Sequence, residues 1–275
     1  MSPDRIVARE RRAARPVGVA AVGAAVLFVA AIIINQNAGV GDAGGDAQFL
    51  LDFDEDRGTL LLASLIQSAG MLLVIAPLFY LFRAASARSE RMRPSLVGIT
   101  VAGPVFLAAG TILQWFAFDQ AASDFATTGG GLGVPVGEYA EDLIRDQGTY
   151  SAAQGFTFAG TLGFVIAIVY TALNAMRVGL LTRFWGTLGM ALGVSMLFLG
   201  FIGVLVLVFA LGLLILGAWP GGRPPAWDAG VAIPWPRPGE EPAGEGEPEP
   251  EGANPEPAPE GQPSGPSPRK RKRRR

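Results

Sequence analysis

FWGTLGMALGVSMLFLGFIGVLVLVFALGLLILGAW, residues 184–219, holds no charged residue and no proline. Laid out as one helix at ~1.5 Å per residue it would measure roughly 54 Å. The hydrocarbon core of a bilayer is ~30 Å thick and takes about 20 apolar residues. The stretch is therefore either one very long buried helix or two short spans joined by a tight turn. Gly200 and Gly203 stand near its middle, and glycine accepts the φ > 0 conformations that a sharp reversal needs. The choice decides which side of a membrane receives the end of the chain.

Toward the N-terminus four further runs are long and apolar enough to cross: 17–35, 59–82, 95–118 and 153–176. The first follows a basic segment with Arg5, Arg9, Arg11, Arg12 and Arg15. It is longer than the ~7–15 residues of a signal-peptide core, so it reads as an uncleaved span. Pro77 and Pro104 lie inside the second and third runs and predict kinks. Tyr139, Leu143 and Ile144 recur at roughly helical spacing among charges, which predicts a short helix lying on the membrane surface.

No Asp, Glu, Lys or Arg falls inside a span. Arginines occupy residues 1–16, the 83–94 loop and the 177–183 link, whereas the 36–58 and 119–152 loops are acidic and hold only Arg57 and Arg145. Basic loops stay cytoplasmic. The N-terminus is thus expected inside and the acidic loops outside. Six spans return the tail, with its basic end, to the cytoplasm, and this favours two final spans, 184–200 and 203–219. Tyr80, Trp185 and Trp219 then fall at inner ends, Trp115 and Tyr150 at outer ends, where such rings prefer the headgroup zone. The expectation is an all-α polytopic membrane protein: a cytoplasmic basic segment 1–16, a six-helix transmembrane bundle over 17–222, and a disordered tail 223–275. The tail is Pro-, Gly- and Glu-rich, too poor in apolar groups to offset its ordering entropy.

There is no cysteine and no histidine. Disulfides, thiolate nucleophiles, histidine-ligated haem and the usual zinc sites are excluded, and no catalytic residue, cofactor or metal site is expected. Asp52, Asp54, Glu55 and Asp56 begin like a calcium loop, but Arg57 and Ala63 occupy the positions where an EF-hand needs its glycine and its bidentate glutamate. A solvated acidic loop is the reading. Coupled transporters and voltage sensors normally carry intramembrane charge, which is missing here.

Gln67, Gln114 and Gln154 lie toward the outer halves of their spans. Such groups usually hydrogen-bond between helices. The functional alternative is a polar pocket open to the outer face, with Tyr150 and Arg57 at its mouth. Glycines 160, 163, 186, 189 and 193 read as close-packing positions within the bundle. The terminal cluster Arg269, Lys270, Arg271, Lys272, Arg273, Arg274 and Arg275 is suited to anionic lipid headgroups, so the bilayer itself is the expected partner.

FLLDFDEDRGTLLLASLIQSAGMLLVIAPLFYLFRA, AGTILQWFAFD and LTRFWGTLGMALGV give residues 49 to about 222 a further character. In layout this part of the chain resembles a family of bacterial multi-pass membrane proteins without an assigned activity. The resemblance implies a bacterial plasma-membrane protein and transfers no site residue. The expected function is a non-enzymatic accessory or interaction protein. The alternative is an uncoupled transporter of small or lipid-like molecules that uses the outer pocket.

Overall fold

The structure, a computed structural model, describes residues 2–38, 45–128 and 136–236. Among these residues every regular element is helical. In chain order they are α1 (Pro3–Asn37), α2 (Gly45–Ser86), α3 (Val97–Thr128), α4 (Val136–Asp146), α5 (Gly148–Arg177), α6 (Arg183–Leu199), α7 (Ile202–Leu216) and the single turn α8 (Ala226–Ala229). The helices α1, α2, α3 and α5 are long and apolar enough to cross a membrane. Only about a third of each apolar window is buried. The rest, including Val19, Leu65, Leu72, Phe106, Phe158 and Ile166, is exposed hydrocarbon all around the bundle. A water-soluble surface does not tolerate that much apolar area, so it faces lipid. The protein is a helical membrane protein.

The helices form a closed ring in the order α7, α1, α2, α3, α5, α6, with α6 and α7 again adjacent. The core is stacked in three tiers. The middle tier joins Phe28, Val74, Phe164, Ile168 and Val204 from four helices. A basal tier, at the arginine-rich end, gathers Ala14, Tyr80, Phe82, Leu180, Ile215 and Trp227. A third tier lies at the acidic end, around Leu50, Phe53, Phe125, Ala140 and Ile144.

The 184–219 stretch folds as the tight-turn reading requires. α6 ends at Gly200, whose φ of 68° and ψ of −155° suit a residue without a Cβ. The chain then returns antiparallel: Leu192 and Ser195 meet Gly203, Gly189 meets Leu207, and Trp185 and Trp219 touch edge to face at 4.7 Å. Both ends of the described chain therefore lie at the basal end, where Arg11 pairs with Asp228 at 3.2 Å. The two arms, of 17 and 15 residues, measure only about 25 and 22 Å. Their register with α5 is set by Gly186 on Met176, Gly189 on Ala172 and Gly193 on Ile168. Continued upward, it ends α6 opposite about residue 161, leaving roughly 20 Å of α5 above the turn. At that level Phe201 stacks on Phe164 at 5.6 Å and touches Phe28 at 4.4 Å.

Three expectations need correction. Pro77 and Pro104 are buried within continuous helices, and the interior break of α2 falls at Asp56 (φ −104°, ψ 17°). The short helix in the long loop exists as α4, but Ala140 and Ile144 bury its apolar side against α2, α3 and α5 rather than lipid. Order also continues past residue 222, to 236. There the indole of Trp227 lies parallel to Tyr80 at 5.8 Å and donates to the Leu180 carbonyl at 2.9 Å. The amide of Ile233 donates to Val178 and the indole of Trp235 to Leu181. Residues 237–275, with the basic cluster 269–275, lie outside the described residues.

One ion pair is enclosed in the basal tier. Arg88 places Nη1 and Nη2 at 2.6 and 2.8 Å from the Glu10 carboxylate, and neither side chain is more than 7% exposed. Its Nε donates to the Ala226 carbonyl, and its guanidinium faces the Trp227 ring. One arginine thus joins α1, α2 and the strap beneath them.

Candidate functional site

Where the middle tier gives way to the acidic cap, α1, α2 and α3 line a half-open cavity of about 240 Å³. Its wall follows from helical spacing. Leu60, Ser64 and Gln67 recur at i, i+4 and i+7 along α2 beyond its break at Asp56, with Phe53 joining from before the break, and Thr111, Gln114, Trp115 and Phe118 stand at i, i+3, i+4 and i+7 along α3. Each set occupies one helix face. Asn35 adds a carboxamide from α1, and Phe49 closes the upper side. Just below, Ser68 donates to the Ala108 carbonyl and holds α2 against α3.

The site combines an aromatic roof with an amide floor. Phe49, Phe53, Phe118 and Trp115 contact one another with centroid separations of 5.0 to 6.4 Å. The Trp115 indole donates to the Arg57 carbonyl at 3.3 Å. Among the described residues, the side chains of Gln67, Gln114, Asn35 and Ser64 have no protein hydrogen-bond partner, while Thr111 donates to Leu107. Gln67 and Gln114 are half-buried and Asn35 is exposed, and each carboxamide offers two donors and an acceptor. No ionised group lines this cavity.

A second cavity, of about 370 Å³, adjoins the first through the shared rings of Phe49 and Phe118. It is lined by Asp46, Glu141, Arg145, Ile144 and Tyr150. The cap around it is strongly acidic: residues 45–58, 119–128 and 136–147 carry eleven Asp or Glu and two Arg, a net charge of −9. Asp52–Asp56 lies in α2, a helix rather than a loop, and among the described residues no three carboxylates converge as a metal site would need.

Of the residues expected from sequence, Gln67 and Gln114 come together in the cavity. Tyr150 stands in the adjoining vestibule. Arg57 contributes its backbone carbonyl to the roof, and its guanidinium is held by Asp54 and by Asp119 at 3.6 Å. Gln154 is not brought in. α5 turns Ala153 and Thr157 toward Gly110 of α3, and one residue further along the helix, about 100° around, points Gln154 outward, where it is exposed. Asn35, Ser64, Thr111 and the aromatic roof were not anticipated. The i, i+3, i+4 grouping of polar and aromatic residues on α2 and α3 was their available signal.

No protein-family model, curated protein or solved structure matches the chain.

Proposed function

We propose that this protein binds a small uncharged molecule, with hydrogen-bonding groups and a flat or apolar face, in the cavity beneath the acidic cap. The observation that carries the reading is the pair of unpartnered carboxamides, Gln67 and Gln114, under an aromatic roof. Pockets of this type combine apolar walls with a few convergent polar groups. A non-enzymatic binding or accessory role is favoured over transport by the apolar layer that Phe28, Val74, Phe164 and Phe201 pack across the interior of the described bundle.

A thermal-stability screen of purified protein against neutral amides, polyols and sugars tests this. A stabilising compound should lose about ten-fold or more in affinity on Gln67→Leu with Gln114→Leu, since each lost hydrogen bond contributes about 0.5–1.5 kcal/mol. An equal affinity in a folded double variant would remove the cavity as the site. Ligand flux into vesicles of reconstituted protein would instead favour the transport reading.

The proposal places the protein in a bacterial plasma membrane with both termini cytoplasmic. Twelve arginines of the described chain gather at the basal end against two at the cap, the asymmetry that sets orientation. We read the α6–α7 hairpin as entering from the cytoplasmic side and returning to it, so this orientation holds whether or not each arm reaches the far surface. The chain lacks cysteine. A membrane-impermeant maleimide should therefore label Asp142→Cys in spheroplasts and Glu90→Cys only after lysis. The reverse pattern would invert the assignment. Contact of the 269–275 cluster with anionic headgroups belongs to the same proposal.

A further inference from the structure

A third cavity lies at the basal end, in the seam between α1 and α2. It is a half-open groove of about 330 Å³, within the range of ordinary ligand sites. Helical spacing builds both of its sides. Arg9, Ala13 and Val17 stand at i, i+4 and i+8 on α1, and Ala76, Phe79 and Arg83 at i, i+3 and i+7 on α2. The two helices run antiparallel, with Gly70 against Ala24 and Phe28 higher up and the Tyr80 hydroxyl donating to the Glu10 carbonyl at 3.1 Å below. Arg9 is one residue from Glu10 and Arg83 three from Tyr80, both toward the basal end. The two arginines therefore share the polar end of the groove, while Val17 and Ala76 carry it up among hydrocarbon. The groove opens outward: Arg9, Phe79 and Arg83 are exposed, and Ala13, Val17 and Ala76 are half-buried.

Length and charge together define what fits. From Arg9 to Val17 the α1 side spans about 12 Å. The headgroup layer on each face of a bilayer is only about 5–8 Å deep, half the difference between its ~30 Å of hydrocarbon and its ~40–45 Å overall. An occupant that fills the groove is therefore charged at one end and hydrocarbon at the other. Among the described residues neither Arg9 nor Arg83 has a carboxylate partner, and the Arg83 guanidinium lies over the Phe79 ring at 5.6 Å. Glu10, the one carboxylate in the lining, is already taken by Arg88. Two cations thus face the groove with no free anion beside them. A headgroup of net negative charge complements them, whereas the ammonium of a zwitterionic headgroup would meet like charge.

We infer that this groove binds one anionic phospholipid, with its phosphate between Arg9 and Arg83 and its glycerol and first methylenes along Ala13, Val17 and Ala76. Guanidinium forks match phosphate oxygens in pairs, and basic pockets between membrane helices hold headgroups by this chemistry. Because the groove is open along its outer side, the rest of each acyl chain stays in the bilayer and needs no room inside the protein. The site is separate from the polar cavity and does not rest on its assignment.

The test uses the full chain in mild detergent, supplied with equal amounts of phosphatidylglycerol and phosphatidylcholine carrying the same acyl chains. Native mass spectrometry of wild type should show phosphatidylglycerol retained at least five-fold over phosphatidylcholine. Arg9→Gln with Arg83→Gln should remove most of that preference without lowering the melting temperature measured free of lipid, since both side chains are exposed. Arg91→Gln with Arg177→Gln takes the same charge from exposed basal positions outside the groove and should keep the preference. Ala76→Phe leaves the arginines in place, fills the apolar half and should lower retention several-fold. Glycerol phosphate, which has the headgroup chemistry without the chains, should not displace the lipid at equal concentration. Wild type without a preference, a preference that survives in the Arg9 and Arg83 variant, or one lost equally in the Arg91 and Arg177 variant would overturn the inference. Displacement by glycerol phosphate would overturn it too, by reducing the groove to a site for a soluble anion.

Discussion

Arg88→Leu is expected to destabilise the protein by about 3–5 kcal/mol, because it leaves the Glu10 carboxylate buried without its counter-charge. The loss extends beyond one pair. The Arg88 guanidinium also donates to the carbonyls of Ala84 and Ala226, and the Tyr80 hydroxyl donates to the Glu10 carbonyl. The strap from residue 223 to 236 should loosen first, exposing Trp227 to protease before the bundle unfolds. Charge burial and hydrogen bonding can be separated by pairing Arg88→Leu with Glu10→Leu. Apolar replacements of a whole buried pair are often tolerated, so the double variant should recover most of the stability lost by the single one. Denaturation in a fixed mild detergent measures both. A single variant that melts with wild type would mean that the carboxylate has found solvent, and the enclosed pair would have to be abandoned.

The second large effect is expected at the closest helix contact. A Cβ added to Gly103 of α3 would stand 2.6 Å from the Phe164 backbone nitrogen, and one added to Gly160 of α5 would stand 2.7 Å from that of Leu107. These obstacles are main chain and cannot rotate away, so the helices must part. Overpacking ordinarily costs about 1–3 kcal/mol. Gly103→Ala should fall in that range, while Gly103→Val should exceed it and reduce the amount of folded protein recovered from membranes. Gly98, on the same helix, has nothing within 4 Å of its added Cβ. Gly98→Ala should be neutral or stabilising, by up to about 1 kcal/mol of helix propensity. If all three substitutions behaved alike, the tight α3–α5 approach would be disproved.

The comparison between chain and structure divides along physical lines. Bilayer thickness makes runs of hydrocarbon legible one segment at a time, so α1, α2, α3 and α5 and the glycine-broken hairpin could be read without knowing any contact. Gln67 and Gln114 were legible for the same reason, since an amide at membrane depth is conspicuous. Relations between distant residues were not. Nothing local announces that Glu10 meets Arg88, 78 positions away, or that α5 turns Gln154 outward by a single residue. The aromatic roof was obscured because Phe49 and Phe53 sit among aspartates and read as loop, while in the folded chain α2 continues through them to Gly45. The same long-range packing explains the ordered strap. Trp227 and Trp235 look like isolated residues in a polar tail until the carbonyls of Leu180 and Leu181 come within reach of their indoles.

The short hairpin also shapes the lipid around the protein. Among the described residues α2, α3 and α5 continue above the level of Phe201, where α6 turns back into α7 between α1 and α5. Acyl tails in the leaflet on the acidic side must sink or thin over that step, at fractions of a kcal/mol per Å. The molecule therefore has a heading within the plane of the bilayer. A neighbour drifting in from the hairpin flank encounters a dimple, whereas one from the α2–α3 flank encounters an undisturbed sheet of lipid.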